Sequence, residues 1–200
     1  VSLTHPYATV AELRAHLGDS GSTLSTELLE RAISAASREI DRHCGRRFWL
    51  DSSTSARTYH PTSPYEVWTD DIGTTTGLVI KTGSSGSYPT TLSSSTYELH
   101  PRDAELDDTV AYAWWRILLL EGAFTVGQRY PAVQVTAKFG WSATPDAVAQ
   151  ACIIRAAALF KRSEAVFGVA GFGDLGVVRL GRFDPDVQAL LAPYAKTSFG

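Results

Sequence analysis

Residues Val133–Arg162, VQVTAKFGWSATPDAVAQACIIRAAALFKR, contain the change of period on which the reading of the fold rests. Val133, Val135 and Ala137 alternate with Gln134, Thr136 and Lys138, the period-2 pattern of a strand with one buried face. Gly140 permits a turn, Thr144 is a good N-cap, and Pro145 suits the first helical position. Asp146 stands where the positive end of a helix dipole favours a carboxylate. The spacing predicts a helix from Pro145 to about Ser163. Val148, Cys152, Ala156 and Leu159, flanked by Ala151 and Phe160, recur at three and four residues and give it one inward face. Phe139, Gly140, Trp141 and Pro145 then form a structural corner between strand and helix.

Outward from this unit, the upstream chain supplies a partner helix. Leu28, Leu29, Ala32, Ile33, Ala36 and Ile40 make an apolar stripe from about Ser25 to Cys44, with Gly45 as the stop. Glu27 and Glu30 lie early and Arg38, Arg42, His43, Arg46 and Arg47 late, as the dipole favours. Before it, Thr9 with Glu12 forms a capping box, Val10, Leu13 and Leu17 share one side, and Gly18 ends a short first helix. Between the long helices the composition turns to Ser, Thr, Gly, Pro, Tyr and Trp. Strands are expected at Ala56–His60, Glu66–Thr69, Leu78–Thr82, Thr96–His100 and Trp114–Leu120, forming an antiparallel sheet. After Arg162 come Gly168, Gly171, Gly173, Gly176 and Gly181 among apolar residues. Asp184 as N-cap, Pro185, Val187, Leu190 and Leu191 then propose a last short helix stopping near Pro193.

The fold class is therefore α+β. Residues 1–48 with 141–163 form a helical core, 49–140 an inserted antiparallel β subdomain, and 164–200 a glycine-rich arm with a short helix. An insertion is tolerated where its two ends are close in space.

The 200 residues carry a formal charge of −3, which gives no support to generic adhesion to nucleic acid. The apolar run around Ile117–Leu120 falls far short of the roughly 20 residues needed to span a bilayer, so no membrane partner is expected. The N-terminus has neither a basic start nor an apolar run, so no secretory signal is read. The absence of methionine suggests an initiator removed before Val1, and a product that works in the cytoplasm or in a particle assembled there. Cys44 and Cys152, the only thiols, fall on apolar helix faces and read as buried small hydrophobes. Arginine far outnumbers lysine and asparagine is absent, a bias that points to a GC-rich genome.

No catalytic, cofactor-binding or metal-ligating set emerges. Gly171-Phe-Gly-Asp-Leu-Gly176 matches G-x-G-x-x-G, but a helix precedes it, Val177-Val-Arg-Leu follows it, and Asp174 adds charge where a phosphate would lie. His5, His16, His43, His60 and His100 fall in separate segments without H-E-x-x-H spacing. Asp70-Asp71 and Asp107-Asp108 are adjacent, and strand neighbours point to opposite faces, so neither pair is an acid/base dyad. No G-x-S-x-G occurs. Trp114 and Trp115 cannot both be buried on one face of a small sheet, so one of them should meet a partner or a second layer.

The order of YATVAELRAHLG, a long helix ending in IDRHCGRRF, a β insertion, and VTAKFGWSATPDAVAQACIIRAAALFKR resembles the head-to-tail connector (adaptor, or head-completion) proteins of tailed bacteriophages. The match covers Tyr7–Phe48 and Val133–Arg162, with FDPDVQALLAPY at the end. The resemblance implies a non-enzymatic virion protein of the neck at the portal vertex, assembled in the host cytoplasm as a ring, typically of twelve copies. Its implied partners are the portal protein and tail-side neck (stopper or tail terminator) proteins, with double-stranded DNA passing through the lumen. A ring needs two different patches on each subunit and often an arm. Leu175, Val177, Val178, Leu180, Phe183, Leu190, Leu191 and Tyr194 are the expected portal or neighbour-subunit interface. The alternative is a β-rich, carbohydrate-type binding module on a helical scaffold. A third reading, a hydrolase, lacks a converging nucleophile and base.

Overall fold

A computed structural model of the chain describes residues 4–102, 112–166 and 184–196. The glycine-rich stretch 167–183, including Leu175, Val177, Val178, Leu180, Phe183 and the G-x-G-x-x-G motif, lies outside the described residues, as does Asp107-Asp108. The chain divides into two compact units, residues 1–46 with 144–200 and residues 47–143.

The first unit holds α1 (Val10–Leu17), α2 (Thr26–Cys44), α3 (Asp146–Val166) and α4 (Pro185–Leu191). Thr9 and Glu12 close the capping box on α1, and Gly18 and Gly45 end α1 and α2 at φ +75° and +64°, a left-handed region open to glycine without a Cβ penalty. α2 packs on α3. Leu29, Ile33, Ala36 and Ile40 of α2 and Val148, Cys152, Ala156 and Phe160 of α3 are buried. Each fully buried Leu or Ile stabilises by about 1.5–3 kcal/mol. One member of the expected stripe departs from it: Leu28 is exposed, because it sits a full helical step off the face defined by Leu29 and Ile33. Arg155 Nε and Nη2 donate to the Glu39 carboxylate at 2.6 and 3.2 Å, joining the two helices beside their apolar contact. At the end of α2 the Lys196 N–H donates to the Cys44 carbonyl at 2.9 Å, satisfying one of the helix's terminal acceptors.

The second unit contains β1 (Ser55–Tyr59), β2 (Glu66–Ile72), β3 (Val79–Ser84), β4 (Ser87–Thr91), β5 (Tyr97–His100), β6 (Trp114–Leu119) and β7 (Val133–Ala137). They form two antiparallel sheets where the sequence suggested one: β1-β7-β3-β4 and β2-β6-β5. The reason is burial. Ile80, Val133, Val135 and Ala137 of the first sheet form one apolar cluster with Val67, Ile117 and Leu119 of the second, so each sheet covers the other's apolar face. β7 is an interior strand flanked by β1 and β3, with Val133 opposite both Tyr59 and Thr82. β4, which carries Pro89, is not among the strands expected from sequence. It is an edge strand, where a missing N–H is tolerated. Ser85 and Gly86, at φ +55° and +82°, make the two-residue turn between β3 and β4.

Candidate functional site

The turn that follows β7 is tightly constrained. Beyond β7 the chain turns at Gly140, whose φ of +112° is open to glycine and disfavoured for other residues. A Cβ there would meet the Trp49 carbonyl oxygen at 1.8 Å. Three backbone bonds hold the turn: Asp51 N–H to the Phe139 carbonyl at 2.9 Å, Gly140 N–H to the Asp71 carbonyl at 2.7 Å, and Gly73 N–H to the Lys138 carbonyl at 3.2 Å. Phe139 is fully buried, with the Arg57 guanidinium 4.0 Å above its ring. Trp141 stacks edge-on against Phe48 at 5.2 Å, and its Nε1–H donates to Asp71 Oδ2 at 3.2 Å. Phe139, Gly140 and Trp141 are thus brought together. Pro145 belongs to the helical unit, where its carbonyl accepts the Ala149 N–H at 2.9 Å and opens α3.

Asp70 and Asp71 show why adjacency in a strand gives no acid/base pair. Asp70 takes Arg57 Nη1 at 2.8 Å and the Tyr59 hydroxyl at 3.1 Å, whereas Asp71, 4% exposed, takes the Trp141 indole. Burial, with the Asp70 charge beside it, pushes the Tyr59 phenol well above its ordinary range. It stays a hydroxyl donor. Both cysteines are buried free thiols pushed up to about 11 by desolvation, so both stay protonated at neutral pH. Among the described residues no three His, Cys, Asp or Glu side chains converge as a metal site.

An open cleft of about 560 Å³ in the β unit is lined by Leu78, Tyr97, Leu99, Trp114, Glu98 and Arg102, with Thr75 and Ser94. The Arg102 guanidinium bonded to Glu98 holds that carboxyl below its usual range. It is an ion-paired carboxylate. Trp114 is buried and Trp115 half-buried, and Tyr112 stacks edge-on against Trp114 at 5.0 Å.

At the C-terminus, Asp184 caps α4 through a 2.9 Å bond from the Asp186 N–H, and α4 packs on α3. Of the expected interface residues, Leu191 is fully buried in the chain's own helical unit, and Leu190 and Tyr194 are half-buried. Leu191 thus packs within the chain rather than standing open to a neighbour.

These two units, taken along the whole chain, have counterparts in solved structures. A chain in the neck of an empty gene transfer agent particle, computed with C6 symmetry, is similar at a TM-score of 0.55 and 18% identity, over 98% of this chain and 93% of that one. The neck of the native particle, computed with C12 symmetry, contains one at 0.53 and 16%, and the virion of the native particle one at 0.52 and 18%, both with the same coverage. The fold is that of a gene transfer agent neck protein. No family model matches the sequence, and no curated protein matches it. The likeness lies in the α+β arrangement, and the few identities leave side-chain roles to be read from this chain alone.

What sequence reasoning missed is on the surface of the β unit. Tyr65, Leu120, Val126 and Tyr130 are exposed on its connecting loops. A large apolar residue in a loop carries no period, and its only early signal is that Gly, Pro and Ser surround it.

Proposed function

We propose that this chain is a structural protein of the neck of a tailed, phage-like particle: a head-to-tail connector that forms a ring between the portal and the tail-side neck proteins. The observation that carries the reading is the fold likeness to neck chains over nearly the full length of both partners. A ring of about twelve copies accords with the C12 symmetry applied to one of those necks. The genome passes through its lumen, and a chain of formal charge −3 suits a conduit, since dense phosphate contacts would retain DNA. The role is structural and non-catalytic, its location is the virion, and no helix among the described residues is long and apolar enough to cross a membrane. The C-terminal segment from about Glu164, with Leu190 and Tyr194, reaches the portal or the adjacent subunit.

Deleting the gene tests this reading. DNA-filled heads without joined tails, rescued by the gene in trans, are the expected phenotype. Normal numbers of tailed, infectious particles in its absence overturn it.

A further inference from the structure

β5 is an edge strand of the sheet β2-β6-β5, and His100 at its end stands opposite Arg116 of β6, which in turn stands opposite Trp68 of β2. Glu98, Leu118 and Glu66 make the neighbouring row. Alternation along the strands puts both rows on the face away from the Val67, Ile117 and Leu99 row, in which Val67 and Ile117 are fully buried. Arg116 Nη2 lies 3.4 Å from His100 Nδ1, and the buried His100 Nε2 lies 3.4 Å from Glu98 Oε2. Arg102 Nε donates to the same Glu98 oxygen at 2.9 Å, and Arg116 Nη1 is 3.6 Å from Glu66 Oε2. Among the described residues the charged groups around His100 are thus Glu98 on its own strand, Arg102 just past it, Arg116 on β6 and, through Arg116, Glu66 on β2.

A guanidinium donates hydrogen bonds and accepts none. The His100 Nδ1 that faces Arg116 must then accept, which puts the proton of the neutral imidazole on Nε2, toward Glu98. Neutral His100 therefore ties its own strand to β6 through Arg116. A second proton goes to Nδ1 and removes that acceptor, leaving two like charges facing each other at 3.4 Å. Glu98 attracts the imidazolium, but Glu98 and His100 sit two residues apart on one strand, so their attraction does nothing to hold β5 on β6. Arg116 keeps another acceptor in Glu66, on the β2 side of β6. Histidine is the side chain that changes charge in this way near neutral pH. β5 has four residues and one hydrogen-bonded neighbour, so a side-chain tie matters to it. Its Tyr97, Glu98 and Leu99 also line the open cleft of about 560 Å³, so loosening the strand opens one wall of that cleft. We infer that His100 is a proton-operated latch on the cleft wall: neutral, it ties β5 to β6 through Arg116; protonated, it releases Arg116 to Glu66 and loosens β5.

Amide hydrogen exchange of the full chain, followed by NMR and corrected for the pH dependence of chemical exchange, tests the latch in wild type and in His100→Gln. Glutamine keeps an acceptor and a donor but takes up no proton. Between about pH 8 and about pH 5.5, the range in which histidine titrates, the wild-type β5 amides are expected to lose protection at least about threefold relative to those of β7, as loss of one hydrogen bond implies. His100→Gln is expected to hold its protection. Wild-type β5 protection that tracks β7 across this range, or the same loss in His100→Gln, overturns the inference. Long-range proton–nitrogen correlation of the wild-type His100 ring gives a reading independent of exchange and of the variant. At about pH 8 the ring proton is expected on Nε2 alone; a proton on Nδ1 at that pH overturns the latch.

Discussion

At Gly140 both backbone conformation and packing oppose a side chain. Alanine there adds a Cβ that meets the Trp49 carbonyl and strains a left-handed backbone, so Gly140→Ala is expected to destabilise the β unit by about 3 kcal/mol or more in urea denaturation. Trp141 is expected to divide into two effects. Trp141→Phe keeps most of the ring against Phe48 but removes the donor to Asp71, a loss of about 1–3 kcal/mol, whereas Trp141→Ala also leaves a cavity and costs about 3–5 kcal/mol. No loss in Trp141→Phe would show that the indole N–H contributes nothing, and equal losses in the two variants that the packing of the ring adds nothing. The corner could be read from Gly140 and the aromatics around it. Its tie to Asp71 could not, because no local pattern links positions that far apart in sequence.

Asp19 gives a residue-level dependence on pH. Burial alone would raise its pKa, but hydrogen bonds from the Thr23 N–H and hydroxyl, the Leu24 N–H and the Arg14 guanidinium outweigh that and bring it down to about 2. A carboxyl depressed in the folded state stabilises above its unfolded pKa of 3.8 and loses that contribution as pH falls toward 2. Wild-type stability is expected to fall across this window more steeply than that of Asp19→Asn, measured by thermal unfolding at stepped pH. Parallel curves would contradict it.

At the scale of elements, the helices are the legible part. Capping residues and glycine stops are local signals, so Thr9, Gly18, Gly45, Asp184 and Pro185 placed their ends within a few residues of where they lie. The strands were found where alternation is clean, as in β7, and β4 was missed where a proline and polar residues mark an edge. The division into two sheets is a property of pairing, and no single strand encodes its partner. The α2–α3 contact combines a sequence-readable apolar face with an unreadable ion pair. Arg155→Ala is expected to cost about 1–2 kcal/mol, and a double-mutant cycle with Glu39→Ala to show coupling between the two; strict additivity would contradict a direct contribution from the pair.

For the whole molecule, the chain shares its fold with neck chains of gene transfer agent particles. Surface then matters more than interior. The residues expected from sequence to make outward contacts lay in the C-terminal segment, and Leu191 proved to be buried within the helical unit because α4 docks on α3. The exposed aromatic loops of the β unit emerged only when the strands were paired, since their proximity depends on which strand ends meet. The most direct test of the connector role is a symmetry-averaged electron cryomicroscopy reconstruction of the neck of particles that encode this protein. The expected result is about twelve copies of this α+β fold in one ring between portal and tail. A portal-to-tail junction fully accounted for by other chains, with this fold absent from it, would contradict the assignment.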